Sequence, residues 1–410
     1  SGKGMNFLTF LKQNANWLGA GALLAFLSSF GQTYFISIFA GEIRQSFDLS
    51  HGAWGGIYTL GTTVSAVVMI WAGALTDQFR VKHLGAATLF VLALSCLLMS
   101  LISTVWMLPL VIFALRLCGQ GMASHIASVA MSRWFVATRG KALSLAHLGF
   151  SVGEALLPLL IVYLITIISW QSVWLCAAIV PLLCIPILWS ILKTERTPQN
   201  IARNNQSLGM EQRQWTRPQA LKHWLFWAMM PALLGPSAFN TAFFFNQVYF
   251  AELKGWSHIQ LVALFPAYTI TSVFAMLGSG WALDKIGTGR LIPWFLLPMI
   301  LAFITFSTAY NTGPMLLGFC FLALTSGMAI TLPNAFWAEF YGTGHLGAIK
   351  AMATAVMVLG SALGPGITGI LIDYGFGLET QYMAVAGYFA CATVLMYVGV
   401  KKARPLVETA

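Results

Sequence analysis

The sequence predicts an all-α integral membrane protein with twelve transmembrane helices, and three observations predict it. Of 410 residues, 58% are hydrophobic and only 8% are charged, with a mean hydropathy of +0.77. A soluble globule carries roughly 25% charged residues, so most of this surface does not face water. Apolar runs of about 20 residues, long enough to cross the hydrocarbon core, recur twelve times. Finally, the basic residues fall in alternate connections.

The runs are approximately 17–40, 54–76, 84–104, 106–131, 142–168, 172–192, 224–250, 258–281, 291–309, 314–338, 350–371 and 380–400. With the N-terminus placed in the cytoplasm, 19 of the 22 Lys and Arg residues lie on the inside. Only Arg44 and Lys254 lie outside, and Arg116 remains within a span. Positive charge marks the cytoplasmic side, so both termini are expected there. The formal charge of +10 is then a topology signal and argues against a nucleic-acid partner. The six cysteines sit in apolar runs without CxxC spacing and read as packing residues, not as a disulfide framework or metal site.

The one long polar stretch, 193–222, contains Pro198 and Pro218 and is strongly basic. It reads as a cytoplasmic linker between an N-terminal six-helix bundle (1–192) and a C-terminal one (223–410). An internal repeat supports the division. Gly73 and Asp77 after span 2 recur as Gly280 and Asp284 after span 8, an offset of 207 residues. The same offset carries Gly153, Ala155, Leu156 and Pro158 in span 5 onto Gly360, Ala362, Leu363 and Pro365 in span 11. Two homologous bundles are a transporter architecture.

At these residues the whole chain resembles the major facilitator superfamily. Its loop signature G-x-L-x-D-(R/K)-x-G-(R/K)-(R/K) is matched by GWALDKIG, which keeps Gly280, Asp284, Lys285 and Gly287. The first copy, GALTDQFRVK, keeps Gly73, Leu75, Asp77 and Lys82 but carries Gln78 and Arg80 at positions where Lys/Arg and Gly are usual. The resemblance implies a gating role for Asp77, Asp284 and Lys285, with the two carboxylates at the helix starts near Leu346 and Gly140. Helix N-termini favour such a carboxylate; the plainer alternative is that both aspartates cap their own turns. The segments SSFGQTYF, RGKALSLAHLGFSVGEALLP and HLGAIKAMATAVMVLGSALGP are similar to a bacterial branch near the monocarboxylate and anion transporters. That likeness implies a bacterial inner membrane and a working monomer.

Two ionisable residues lie deep in the spans, Arg116 in span 4 and Glu154 in span 5. Each costs about 2.5–3.5 kcal/mol on insertion scales and marks a functional site by default. At 1.5 Å per residue they lie about 15 Å and about 21 Å below the outer edge, so a pair is feasible. The repeat places Ala323 and Ser361 at the equivalent positions, so both charges are additions to one half. The superfamily's span-4 pattern R-x-x-x-G-x-G is associated with proton-coupled members, and Arg116-Leu-Cys-Gly119-Gln-Gly121 is one residue shorter.

Gln120 shares the Arg116 face, whereas His125 lies opposite and reads as a packing histidine. His147, Ser151 and Glu154 form a polar stripe on span 5. His147 reads either as a proton relay or as a partner of a backbone carbonyl. The resemblance implies that spans 1, 4, 7 and 10 line a central site, with Ser28 and Gln32 beside a potential break at Gly31, Asn240, Phe244 and Gln247 in span 7, and Asn334 in span 10. Amides among aromatics suit a small organic solute; the alternative is that the aromatics face lipid.

There is no G-x-x-x-x-G-K-[ST] segment for ATP and no His/Cys/Asp cluster for a metal or other cofactor. The expected function is secondary active transport of a small organic solute, an organic anion by the presence of Arg116, coupled to protons through Glu154. Proton-driven efflux of a drug or metabolite and a non-transporting sensor on the same scaffold are the alternatives; an enzyme is not expected.

Overall fold

The computed structural model describes residues 6–49, 51–194, 207–257, 260–261 and 263–408. It forms two compact units, one of residues 1–136 and 145–206, the other of 137–144 and 207–410. Among the described residues the long helices number twelve, six for each sequence half. Those of the first half are α1 (Phe7–Leu27), α2 (His51–Ala72), α3 (Val81–Leu101), α4 (Val105–Trp134), α5 (Arg139–Ile165) and α6 (Trp170–Ile191). Those of the second are α7 (Trp224–Phe245), α8 (Phe265–Ile286), α9 (Thr288–Thr308), α10 (Thr312–Tyr341), α11 (Leu346–Asp373) and α12 (Leu378–Glu408). Eight of the twelve satisfy both length and apolarity criteria for crossing a membrane by themselves.

The internal pairing of helices repeats between the units. In the first unit α2 packs on α4 and α3 on α6; in the second α8 packs on α10 and α9 on α12. Likewise α5 meets α1 where Gly149 lies against the Ala22 carbonyl, and α11 meets α7 where Gly364 lies against the Ala238 carbonyl. A Cβ at either glycine would collide with that backbone oxygen, so small residues set the closest approach, as helix packing in lipid requires. Aromatic groups fill both cores. Phe35 and Phe39 close on Trp174 at 5.1 and 5.0 Å in the first unit. In the second, Phe243 stacks on Phe306 at 4.3 Å.

Several helices depart from regularity. α1 gives way to a 3-10 turn at Ser28–Gly31, and Gln32 then turns extended (φ −86°, ψ 152°) before Thr33–Ile36 resumes helix. Ser28 begins the break, its hydroxyl donating back to the Ala25 carbonyl at 2.6 Å, a local bond that competes with the helical ladder. α4 contains a π-helical segment, Arg116–Ala123. At the other extreme, α1 starts ten residues before the expected apolar run and α12 continues eight beyond it. A helix does not stop where apolarity stops; its polar turns project past the hydrocarbon.

The stretch expected as a linker, 193–222, is divided. Residues 195–206 lie outside the described set, whereas 207–222 pack within the second unit. Ser207 and Thr343 exchange backbone and hydroxyl bonds, and the Trp215 N–H donates to the Tyr341 carbonyl at 3.1 Å. Met210 and Trp215 are buried. Basic composition hid these two apolar anchors. A short helix, Arg217–Lys222, follows with a capping box between Thr216 and Gln219.

Candidate functional site

The first unit gathers its polar groups where α1 breaks. Gly31 and Gly119 are stacked backbone on backbone; a Cβ on Gly31 would strike the Leu115 carbonyl and one on Gly119 would strike Gly31. This approach brings the Arg116 guanidinium to the break, where its Nη1 donates to the Gly31 carbonyl at 3.0 Å. The Tyr58 ring of α2 lies 5.3 Å from the guanidinium carbon, and the Tyr58 hydroxyl is 2.6 Å from Thr33 Oγ1. Gln32 Nε2 donates to Ser28 Oγ at 3.3 Å. Ser28, Gln32 and Arg116 therefore meet around one break, with the Gln120 backbone against Gly31.

Arg116 is 2% exposed, and among the described residues no carboxylate pairs with it. Its Nε has no hydrogen-bond partner, and neither does the buried Gln120 Oε1. One charge-assisted hydrogen bond contributes about 1.5–3 kcal/mol and a cation–π contact about 0.5–2. Burying an unpaired cation costs several kcal/mol, so the protein alone barely offsets it. An anion placed here would meet a nearly fixed guanidinium fork.

Glu154 lies on α5 about 200° around the helix from Val152 and Leu156, which point outward at 47% and 59% exposure. It is therefore not on that outward apolar face. Its side chain is open and, among the described residues, holds no ion pair. The adjacent Gly153 sits against Ser29 Oγ and the Tyr34 hydroxyl, which donates to Ser29 at 2.5 Å. The expected Arg116–Glu154 pair is thus not made directly: Arg116 turns to the Gly31 carbonyl instead. His147, half-buried, stacks on Phe150 at 4.7 Å. His125 contacts the Gly73 carbonyl at 2.9 Å through Nε2, a packing role.

In the second unit Asn240 of α7 has a buried Oδ1 without a partner. Phe244 packs 5.2 Å from Tyr268 and 5.4 Å from Phe265, and the Tyr268 hydroxyl donates to Ser326 at 3.1 Å. Asn334 spends its amide on the Ile330 carbonyl of its own helix at 2.7 Å. The Gln247 side chain lies outside the described set. Asn240 and Phe244 stand four residues apart on one face of α7, and the Asn334 amide is spent on its own helix.

Both signature aspartates are held by partners. Asp284 accepts from the Gly140 and Lys141 backbone N–H groups at 2.7 and 3.1 Å, at the start of α5. Asp77 pairs with Arg133 at 2.6 Å, and Arg133 also donates to the Thr76 carbonyl at 2.8 Å. Lys285 is exposed and lies 4.1 Å over the Trp281 ring. Sequence reasoning missed Tyr58, the Gly31 carbonyl and Arg133: a backbone acceptor has no sequence signal, and Arg133 reads as one more inside charge.

Two spanning helices of the first unit are irregular, and a buried cation lies where they cross, a feature of membrane proteins that marks a functional site. No curated protein is significantly similar to the chain. The model of the Major Facilitator Superfamily matches residues 21–365, and the chain belongs to that superfamily of transporters, which is not one of enzymes. Solved structures of similar fold include a proton:xylose symporter, XylE, with TM-score 0.69 at 15% identity, covering 96% of this chain and 99% of that one. The human organic anion transporter MFSD10 gives 0.69 at 14%, covering 94% and 99%. FucP, in an outward conformation, gives 0.62 at 15%, covering 94% and 98%. At such identity the likeness shows the fold alone.

Proposed function

We propose that the protein moves a small organic anion by alternating access, coupled to protons. The observation that carries this reading is the buried, carboxylate-free Arg116 at the α1 break with its unpartnered Nε. A carboxylate completes it, accepting from the guanidinium and drawing on Gln32, Ser28 and Gln120 for orientation. Glu154, open and held by no ion pair among the described residues, is the group proposed to take up and release the proton, with His147 about two helical turns away on the same stripe. A substrate carboxylate and the ionised Glu154 then compete for the same positive potential, which links the two fluxes. Asn240 and Phe244 are proposed to contact the apolar part of the solute, with Gln247 and Asn334 in lesser roles. Asp284, Asp77 and Lys285 are proposed to gate. The proposed setting is a bacterial inner membrane, both termini cytoplasmic, with a monomer as the working unit. That the known proteins of this fold include a proton symporter and an organic anion transporter supports the reading.

The test is uptake of a panel of monocarboxylates into liposomes under an imposed pH gradient. Gradient-driven uptake is expected in the unaltered protein and lost in Glu154→Gln, while carboxylate exchange without a gradient persists. Unchanged gradient-driven uptake in Glu154→Gln overturns the coupling role. The aromatic wall around Phe244 favours a second reading, efflux of an apolar solute; stabilisation by hydrophobic amines and not by carboxylates in a thermal-shift screen selects it.

A further inference from the structure

The outer face of the first unit carries a groove of about 470 Å³ between α1, α5 and α6. It is lined by apolar side chains, among them Leu23, Phe26, Leu148, Val152 and Ile187, with Gly19 at one end. Its walls are spanning helices, so the material beside it is lipid. Along α1, Phe26 to Gly19 is seven residues, about 10.5 Å at 1.5 Å per residue, which lies within one leaflet of a hydrocarbon core about 30 Å thick.

Charge marks one end of this groove. Lys12 stands seven residues before Gly19, on the same face of α1, and is exposed. Lys193 follows the end of α6 two residues after the lining residue Ile191 and is also exposed. The chain just past α6 is tied to the middle of α1 there, because the Trp17 indole N–H donates to the Thr194 carbonyl at 3.0 Å. Neither lysine has an ion pair among the described residues. α1 and α6 contain no Asp or Glu, and Glu154 of α5 lies on a different face from Val152. The groove thus has an acyl-shaped apolar body and a cationic mouth, with no acid on α1 or α6 among the described residues to neutralise it; Glu195 lies outside them. Basic pockets between spanning helices hold anionic headgroups in this way, with the lysine stems lying along apolar surface and their ammonium groups reaching the headgroup level.

We infer that this groove is a binding site for an anionic glycerophospholipid, one acyl chain lying between α1, α5 and α6 and the phosphate held by Lys12 and Lys193. Charge complementarity selects the anionic lipid over a zwitterionic one, whose own ammonium repels the lysines. Gly19 has an unusual place in the test: a Cβ built on it meets nothing within 4 Å, so a side chain there enters the groove without disturbing the helix packing. Gly149, by contrast, lies against the Ala22 carbonyl and is unsuitable.

The experiment titrates the full-length protein in detergent with phosphatidylglycerol or with phosphatidylcholine of the same chains, and counts retained lipid by native mass spectrometry. The unaltered protein is expected to retain phosphatidylglycerol on the order of tenfold more strongly, the scale of two lysines near a headgroup. Lys12→Gln with Lys193→Gln is expected to remove the preference and leave phosphatidylcholine retention unchanged. Gly19→Leu is expected to reduce retention of both lipids while the melting temperature in lipid-free detergent is preserved. Equal retention of the two lipids by the unaltered protein, a preference that survives the double lysine substitution, or phosphatidylglycerol retention unaffected by Gly19→Leu would each overturn the site.

Discussion

At the scale of single residues, the instructive contrast is between Arg116 and Lys254, two cations buried to a similar degree at 2% and 6% exposure. Lys254 is matched: it pairs with Glu379 at 3.0 Å, and the Tyr310 ring lies 4.3 Å beneath it. That pairing explains how one of the two basic residues expected on the outer side is accommodated. Arg116 has only a carbonyl and a ring, which leaves an anion as the missing partner under the proposed function. Arg116→Lys should therefore not be conservative. A lysine presents a point charge instead of a planar fork, so carboxylate affinity is expected to fall about tenfold or more, read as the shift in thermal stabilisation by the ligand. An unchanged shift would show that Arg116 does not touch the solute. The sequence exposed Arg116 and Glu154 because charge is scarce in lipid. It did not expose that the two are not directly paired, because helix depth is readable from position while side-chain direction near a broken helix is not.

At the scale of elements, the α1–α4 crossing is the joint on which the site rests. Gly31 and Gly119 both lack room for a methyl, and overpacking of this kind costs about 1–3 kcal/mol. Gly119→Ala is expected to lower the melting temperature by several degrees and to abolish ligand stabilisation, since pushing α1 away moves the Gly31 carbonyl from Arg116. The element repertoire was legible from the length of the apolar runs, and the break near Gly31 from its glycine and polar neighbours. The π segment Arg116–Ala123 was not legible, because an i→i+5 turn uses the same residue types as an α-turn; such turns are frequent at functional sites. A second element-scale expectation concerns His223. It caps α7 by accepting from the Leu225 N–H at 3.3 Å and lies 4.9 Å from the Trp215 ring. Burial lowers its pKa, Glu211 opposing and Arg213 reinforcing the shift. A depressed folded value means its contribution to stability is present above the ordinary histidine range and is lost as pH falls. Melting temperature is thus expected to drop between about pH 7 and pH 5, and the drop to shrink in His223→Asn, which keeps a capping acceptor without the titration.

At the scale of the whole molecule, the sequence repeat and the repeated pairing of α2 with α4, α3 with α6 and their counterparts agree, so the twofold plan was readable from the 207-residue offset alone. The unit boundary was not, because the division by composition put the entire basic stretch between the bundles. The structure gives 207–222 to the second unit through Met210 and Trp215, and gives it also Ala137–Ser144, which includes the first residues of α5. Here Asp284 receives the Gly140 and Lys141 amides, and the Ser144 hydroxyl donates to the Met276 carbonyl at 3.0 Å. A gene divided between codons 200 and 201 therefore does not yield two self-sufficient products. The downstream polypeptide made alone would carry the Asp284 carboxylate, and Gly280 against which Gly140 packs, shaped for a helix start that it lacks. It is expected to accumulate poorly in membranes and to be rescued by co-expression of the upstream polypeptide, a complementation readable on an immunoblot.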